Sequence, residues 1–93
     1  MLTQEETFKV GQDEKHDISF KLDAWWGRFY VLVDGAKTSV NGQSIVSGPF
    51  TIEIGEQEKH TVSFQVMLPA FFGAFKRKEV QVLIDGKIFK TYN

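Results

Sequence analysis

Two stretches of this chain alternate apolar and polar residues with a period of two, and they do so with nearly the same residues. His16, Ile18, Phe20 and Leu22 fall on one side of an extended chain, and Asp17, Ser19, Lys21 and Asp23 on the other; His60, Val62, Phe64, Val66 and Leu68 repeat the pattern. Successive side chains of a β-strand point to opposite faces, so each run predicts a half-buried strand. Shorter apolar runs precede them, Phe8 to Val10 and Phe50 to Ile54, and each ends at a glycine, Gly11 or Gly55, suited to a turn with positive φ. After each long strand come Phe29, Val31 and Val33, or Val80, Val82 and Ile84, leading into Asp34-Gly35 and Asp85-Gly86. Asp-Gly after such a run signals a type I′ hairpin, so a fourth strand follows at once.

The two halves are copies of one unit. Phe8 to Asp23 lies over Ile52 to Met67 with Gly, Glu, Lys, His, Ser and Phe matching at an offset of 44, whereas the two Asp-Gly pairs match at an offset of 51. The second copy therefore carries seven more residues between its second and third strands. Two such units cannot close a propeller, and a pseudo-twofold domain is the expectation. The repeats span about 6–41 and 50–93 of a single domain, 1–93, with Asn41-Gly42 and Gly48-Pro49 bracketing the link. Two four-stranded meanders, each with one apolar face, predict an all-β fold: an eight-stranded antiparallel β-sandwich, with a partly open barrel as the alternative.

Composition adds limits. The 93 residues hold no cysteine, which excludes disulfides, thiolate metal sites and a cysteine nucleophile, so stability rests on packing. A net charge of -1 supplies no global attraction for nucleic acid. Charge is uneven, however: six acids stand against three lysines from Met1 to Asp23, and five bases against two acids from Leu68 to Asn93. The start lacks the pattern of a signal peptide, and no apolar run is long enough to span a bilayer, so a cytoplasmic protein is expected.

The candidate chemistry centres on Glu14-Lys15-His16, written again as Glu58-Lys59-His60. Imidazole serves as general base or metal ligand near neutral pH, so His16 and His60 are candidates for a metal-dependent enzyme, with Glu14 and Glu58 as further ligands. The structural reading makes them rim residues, the imidazoles bonded to backbone at a hairpin end and the Glu and Lys solvating the turn. Duplication favours the structural reading, since a turn is needed twice and one catalytic centre is not. No phosphate loop, nucleophile elbow or carboxylate pair accompanies them, and no cofactor is expected.

The unequal loops carry the second candidate site. The first copy has Trp25, Trp26, Gly27 and Arg28 between its second and third strands; the second has Phe71, Phe72, Gly73, Phe75, Lys76, Arg77 and Lys78. Connections are normally polar. Either these rings turn inward and plug one end of the sandwich, or part of them forms an exposed apolar patch with a basic rim, a mark of contact with a partner or a membrane. Rings beside cations also suit carbohydrate, or single-stranded nucleic acid, with nucleic acid the weaker fit given so few bases. Leu32 and Leu83, equivalent and facing away from the core, point to contact between two copies in a homodimer.

The unit His-x-(Ile/Val)-x-Phe, a loop, an apolar strand and then Val/Ile-Asp-Gly resembles the repeat of the Fas apoptotic inhibitory molecule (FAIM-like) family. It is also similar to small uncharacterised prokaryotic proteins with GxxEKH, a Pro-aromatic loop and a closing Asp-Gly. His16, Phe20, Asp34, Gly35, His60, Phe64, Asp85 and Gly86 carry the match. The resemblance implies an antiparallel β fold that is noncatalytic and interaction-type. The sequence therefore predicts a noncatalytic binding module that contacts a protein partner through its aromatic, basic loop end.

Overall fold

A computed structural model describes residues 3–23, 25–45, 48–67 and 79–92. The chain forms two antiparallel sheets and, among the described residues, no α-helix. The first sheet has β1 (Thr3–Val10), β2 (His16–Asp23), β3 (Arg28–Val33), β4 (Ala36–Lys37) and β5 (Gln43–Ser44). Its order is β1-β2-β3-β4, with β5 also pairing with β3. The second sheet has β6 (Phe50–Ile54), β7 (His60–Met67), β8 (Glu79–Ile84) and β9 (Lys87–Tyr92), in that order.

The apolar faces of both sheets meet in one core. Ile18, Phe20, Leu22, Phe29 and Val31 from the first sheet and Val62, Phe64, Val80 and Val82 from the second are fully buried. Phe20 and Phe64, equivalent in the repeat, face each other across the gap with ring centroids 5.6 Å apart. Phe29 stacks on Phe50 at 5.1 Å, which sets β3 over β6, while Phe8 lies 6.2 Å from Tyr92, which sets β1 by β9. Among the described residues no hydrogen-bonded ladder joins the sheets. The result is a sandwich rather than a barrel, with β4 and β5 counted as the two pieces of an eighth strand.

Three details differ from the sequence pattern. β1 begins at Thr3, well before Phe8, because every residue from Thr3 to Val10 finds a partner on the equally long β2. Pairing thus extends through polar positions that carry no apolar signal. The fourth strand of the first copy is broken: β4 stops at Lys37, Thr38 turns its hydroxyl to the Val31 carbonyl at 2.9 Å, and Gly42 N–H returns to the Phe29 carbonyl at 2.8 Å. The detour lets Val40 reach the core, where it is 5% exposed. The second copy keeps a continuous β9 with an irregular register beside Val82 and Leu83. Finally, the pairing on β3 runs on to Ser44, past the expected end of the first repeat at 41.

Both Asp-Gly hairpins have positive φ at their two central residues, 51° and 82° at Asp34 and Gly35 and 52° and 82° at Asp85 and Gly86. That is the type I′ geometry the sequence predicts, matched to the twist of the flanking strands.

Candidate functional site

The two GxxEKH turns come together at one end of the sandwich. In each, three successive backbone N–H groups point the same way, forming the kind of concave nest that holds an anion. The anion belongs to the other copy. The Glu14 carboxylate accepts from Glu56 N–H at 2.9 Å, Gln57 N–H at 2.7 Å and Glu58 N–H at 3.1 Å. In return the Glu58 carboxylate accepts from Gln12 N–H at 2.9 Å, Asp13 N–H at 2.8 Å and Glu14 N–H at 3.2 Å. The two bonded sets clasp the sheets at their turns.

Each clasp glutamate is held from behind by its own histidine. His16 bonds Glu14 through Nε2 at 2.5 Å and Asp34 through Nδ1 at 2.6 Å; His60 does the same with Glu58 at 2.5 Å and Asp85 at 2.6 Å. An ionised carboxylate only accepts hydrogen bonds, and a neutral imidazole has a single N–H, so an imidazole between two carboxylates is satisfied only as imidazolium. Bonding to Asp34 and then Glu14 raises the His16 pKa, and bonding to Glu58 and then Asp85 raises that of His60. Glu14 is lowered to about 2, first by the Glu56 N–H and then by His16. Glu58 is lowered to about 2 as well, first by His60 and then by the N–H groups of Gln12, Asp13 and Glu14. Asp34 and Asp85 fall below the usual carboxylate range, chiefly through their histidines.

The aspartates complete the link to the strands. The second oxygen of Asp34 accepts the Asp17 N–H at 2.8 Å, and that of Asp85 accepts the Thr61 N–H at 2.9 Å. Hairpin, strand start, histidine and glutamate thus form one chain of charge-assisted bonds on each side. Gly11 and Gly55 are required where they stand: at φ values of 108° and 93° they bring the chain so tightly round that a Cβ would collide with the carbonyl of Glu14 or Glu58.

The structural expectation for the tripeptide is corrected in two respects. The imidazoles bond carboxylates rather than backbone, because Asp34 and Asp85 take up the strand-start N–H groups themselves. The glutamates do not solvate their own turns, because each finds three unpaired N–H donors in the other turn. Lys15 and Lys59 are exposed, as a solvating role requires. With both ring nitrogens engaged, His16 and His60 have no lone pair aimed at a ligand, and among the described residues no group of three or more His, Asp or Glu side chains is placed to hold a metal ion.

At the far end of the sheet, the turn from β2 to β3 is built differently. One oxygen of Asp23 accepts both the Trp25 N–H at 3.1 Å and the Trp26 N–H at 3.2 Å. Gly27, at φ 67°, then turns the chain into β3, and its carbonyl accepts the Ile45 N–H at 2.9 Å. The two tryptophan N–H groups and the Gly27 carbonyl are thus satisfied, while the indoles are left in solvent: Trp25 is 69% and Trp26 74% exposed. The plugging alternative fails for these two rings, because the core beneath is already closed by Leu22 and Phe29, both fully buried. Arg28 is exposed beside them, its guanidinium directed towards the Gly42 carbonyl at 3.4 Å. Phe71, Phe72, Phe75, Lys76, Arg77 and Lys78 lie outside the described residues. Leu32 and Leu83 do face away from the core, but both are partly covered, Leu32 across from Ser19 and Lys37 and Leu83 across from Ser63 and Ile88.

Among the described residues no helix is long and apolar enough to cross a membrane. Comparison with models of known families, with characterised proteins and with solved structures finds no match to this chain.

Proposed function

We propose that the protein is a noncatalytic binding module that meets a protein partner through the Trp25-Trp26 turn, with Arg28 at its rim. The observation that carries this reading is the exposure of two adjacent indoles on a turn whose tryptophan N–H groups are held by Asp23. Exposed paired aromatics bury large area on contact at small cost in side-chain entropy, and tryptophan and arginine are the residue types that dominate protein contacts. The basic run Lys76, Arg77 and Lys78, with Phe71, Phe72 and Phe75, joins this reading as the loop that matches the tryptophan turn in the second copy of the sequence. The likeness to the FAIM-like repeat agrees with a noncatalytic, interaction-type role. A cytoplasmic setting suits a chain that has no cysteine to form a disulfide.

Binding through this turn predicts that acrylamide quenches both tryptophans in the free protein and that a partner protects them. A protein partner is lost on Trp25→Ala with Trp26→Ala while the fold is kept. Quencher protection of both rings in the free monomer overturns the reading. Sedimentation with anionic vesicles, in place of a protein, transfers the surface to a membrane role.

A further inference from the structure

The sandwich has two flanks, and they are finished differently. On one, the edge of the first sheet is the broken pair β4 and β5, two residues each, with the detour from Thr38 to Gly42 between them, and that of the second is the five-residue β6. On the other, β1 and β9 run side by side, eight and six residues long, β9 with one irregularity at Phe89, and among the described residues no strand pairs with their outer sides. Short or broken edges resist further pairing, whereas long continuous ones invite it.

The side chains differ in the same sense. Immediately after Asp34-Gly35 the first copy has Ala36, Lys37 and Thr38; immediately after Asp85-Gly86 the second has Lys87, Ile88 and Phe89. Ile88 is 64% and Phe89 46% exposed, although Phe89 leans on Phe8 with centroids 5.3 Å apart. Charge is complementary along this flank. β1 presents Glu5 and Glu6, its Lys9 being matched by Asp17 at 2.8 Å, while β9 presents Lys87 and Lys90.

We infer that this flank is the interface of a homodimer, in which β1 of each copy adds to β9 of the other. The geometry closes. β1 runs towards the clasp and β9 runs away from it, so a twofold axis parallel to the strands sets β1 antiparallel to the partner's β9 and, by the same operation, β9 antiparallel to the partner's β1. Each sheet then continues into the opposite sheet of the partner. Two ladders form at once, acidic strand against basic strand, and the exposed Ile88 and Phe89 are covered. The twofold operation uses both edges of this flank in each copy, so the pairing closes at two copies. The interface is separate from the tryptophan turn.

The test uses the full chain. Sedimentation equilibrium and light scattering, from micromolar to millimolar protein, are expected to give twice the 10.6 kDa of the chain, with weaker association at high salt. Ile88 follows the residue that closes a two-residue hairpin, so its N–H points outward from β8. Ile88→Pro removes that donor and spares the β8 ladder; it and Ile88→Lys should each weaken dimerisation at least tenfold with an unchanged circular dichroism spectrum. Because the chain has no cysteine, oxidising a mixture of Thr7→Cys and Thr91→Cys chains should give a disulfide-linked pair that neither forms alone. A monomer at millimolar concentration, a dimer indifferent to both Ile88 substitutions, or cross-linking of either cysteine variant by itself overturns the inference.

Discussion

The two ends of this sandwich solve one problem, the unpaired backbone of a turn, in different ways. At the tryptophan end the turn closes on itself: Asp23 takes the nearest N–H groups, and the side chains that follow are released into solvent. At the clasp end neither turn is complete alone, because the three donors of each are satisfied by a carboxylate from the other half. A self-contained turn is free to carry a contact surface; a turn that needs its counterpart is committed to holding the two sheets in register. Exposed aromatics at one end and engaged histidines at the other therefore mark a division between a turn that leaves its side chains in solvent and one that is built into the fold.

The largest disruption of this division comes from removing what both ends stand on. Phe64→Ala empties the centre of the core and should destabilise by about 3–5 kcal/mol, read from denaturant unfolding. Next comes the clasp backbone. Gly11→Ala places a side chain in a positive-φ turn where a Cβ meets the Glu14 carbonyl, and should destabilise by about 1–3 kcal/mol or more, with Gly55→Ala matching it. A double variant that costs clearly less than the sum of the two would show that the turns work as one unit.

The pH dependence sharpens the same contrast. Glu14 and Glu58 have folded-state values lowered to about 2, so their contribution is present above the unfolded value near 4.5 and is lost as pH falls from there towards 2. His16 and His60 have raised values, so theirs is complete below the unfolded value near 6.5 and is lost as pH rises through the folded ones. Thermal stability should peak between about pH 4.5 and 6.5 and decline on both sides. In a Glu14→Gln, Glu58→Gln double variant the acid limb of this profile flattens; a profile that keeps its shape would remove the clasp from the account of stability.

The smallest stability effect belongs to the tryptophan turn. Trp25→Ala and Trp26→Ala each remove a ring that packs on little and should shift unfolding by no more than about 0.5 kcal/mol. Against a partner, loss of such an anchor is worth about 2 kcal/mol or more, roughly a thirtyfold rise in Kd by titration calorimetry. A Trp26→Ala variant that unfolds easily would turn the proposed contact surface back into core.

Much of this architecture was legible along the chain. Period-two alternation identified β2, β3, β7 and β8 with the correct inward faces, and Asp34-Gly35 and Asp85-Gly86 marked type I′ hairpins, because pleat and turn conformation are local properties. The extent of β1 and the break between β4 and β5 were not legible. The first depends on what β2 offers as a partner and the second on how far Val40 must travel to reach the core. The duplicated tripeptide was recognisable as structural, yet its bonding was not. A glutamate conserved between two copies of a turn, two residues before a histidine that itself faces an Asp-Gly hairpin, was the available sign of reciprocal capping.

The sequence by itself determined the alternating strands β2, β3, β7 and β8, their faces and the Asp-Gly hairpins, since each follows from neighbours a few positions apart. Tertiary structure alone decided that Glu14 sits in the nest of Glu56, Gln57 and Glu58 and that the indoles of Trp25 and Trp26 stay in water. A nest has an occupant only when another segment arrives with the right charge, and a ring is exposed only when the core beneath it is already full.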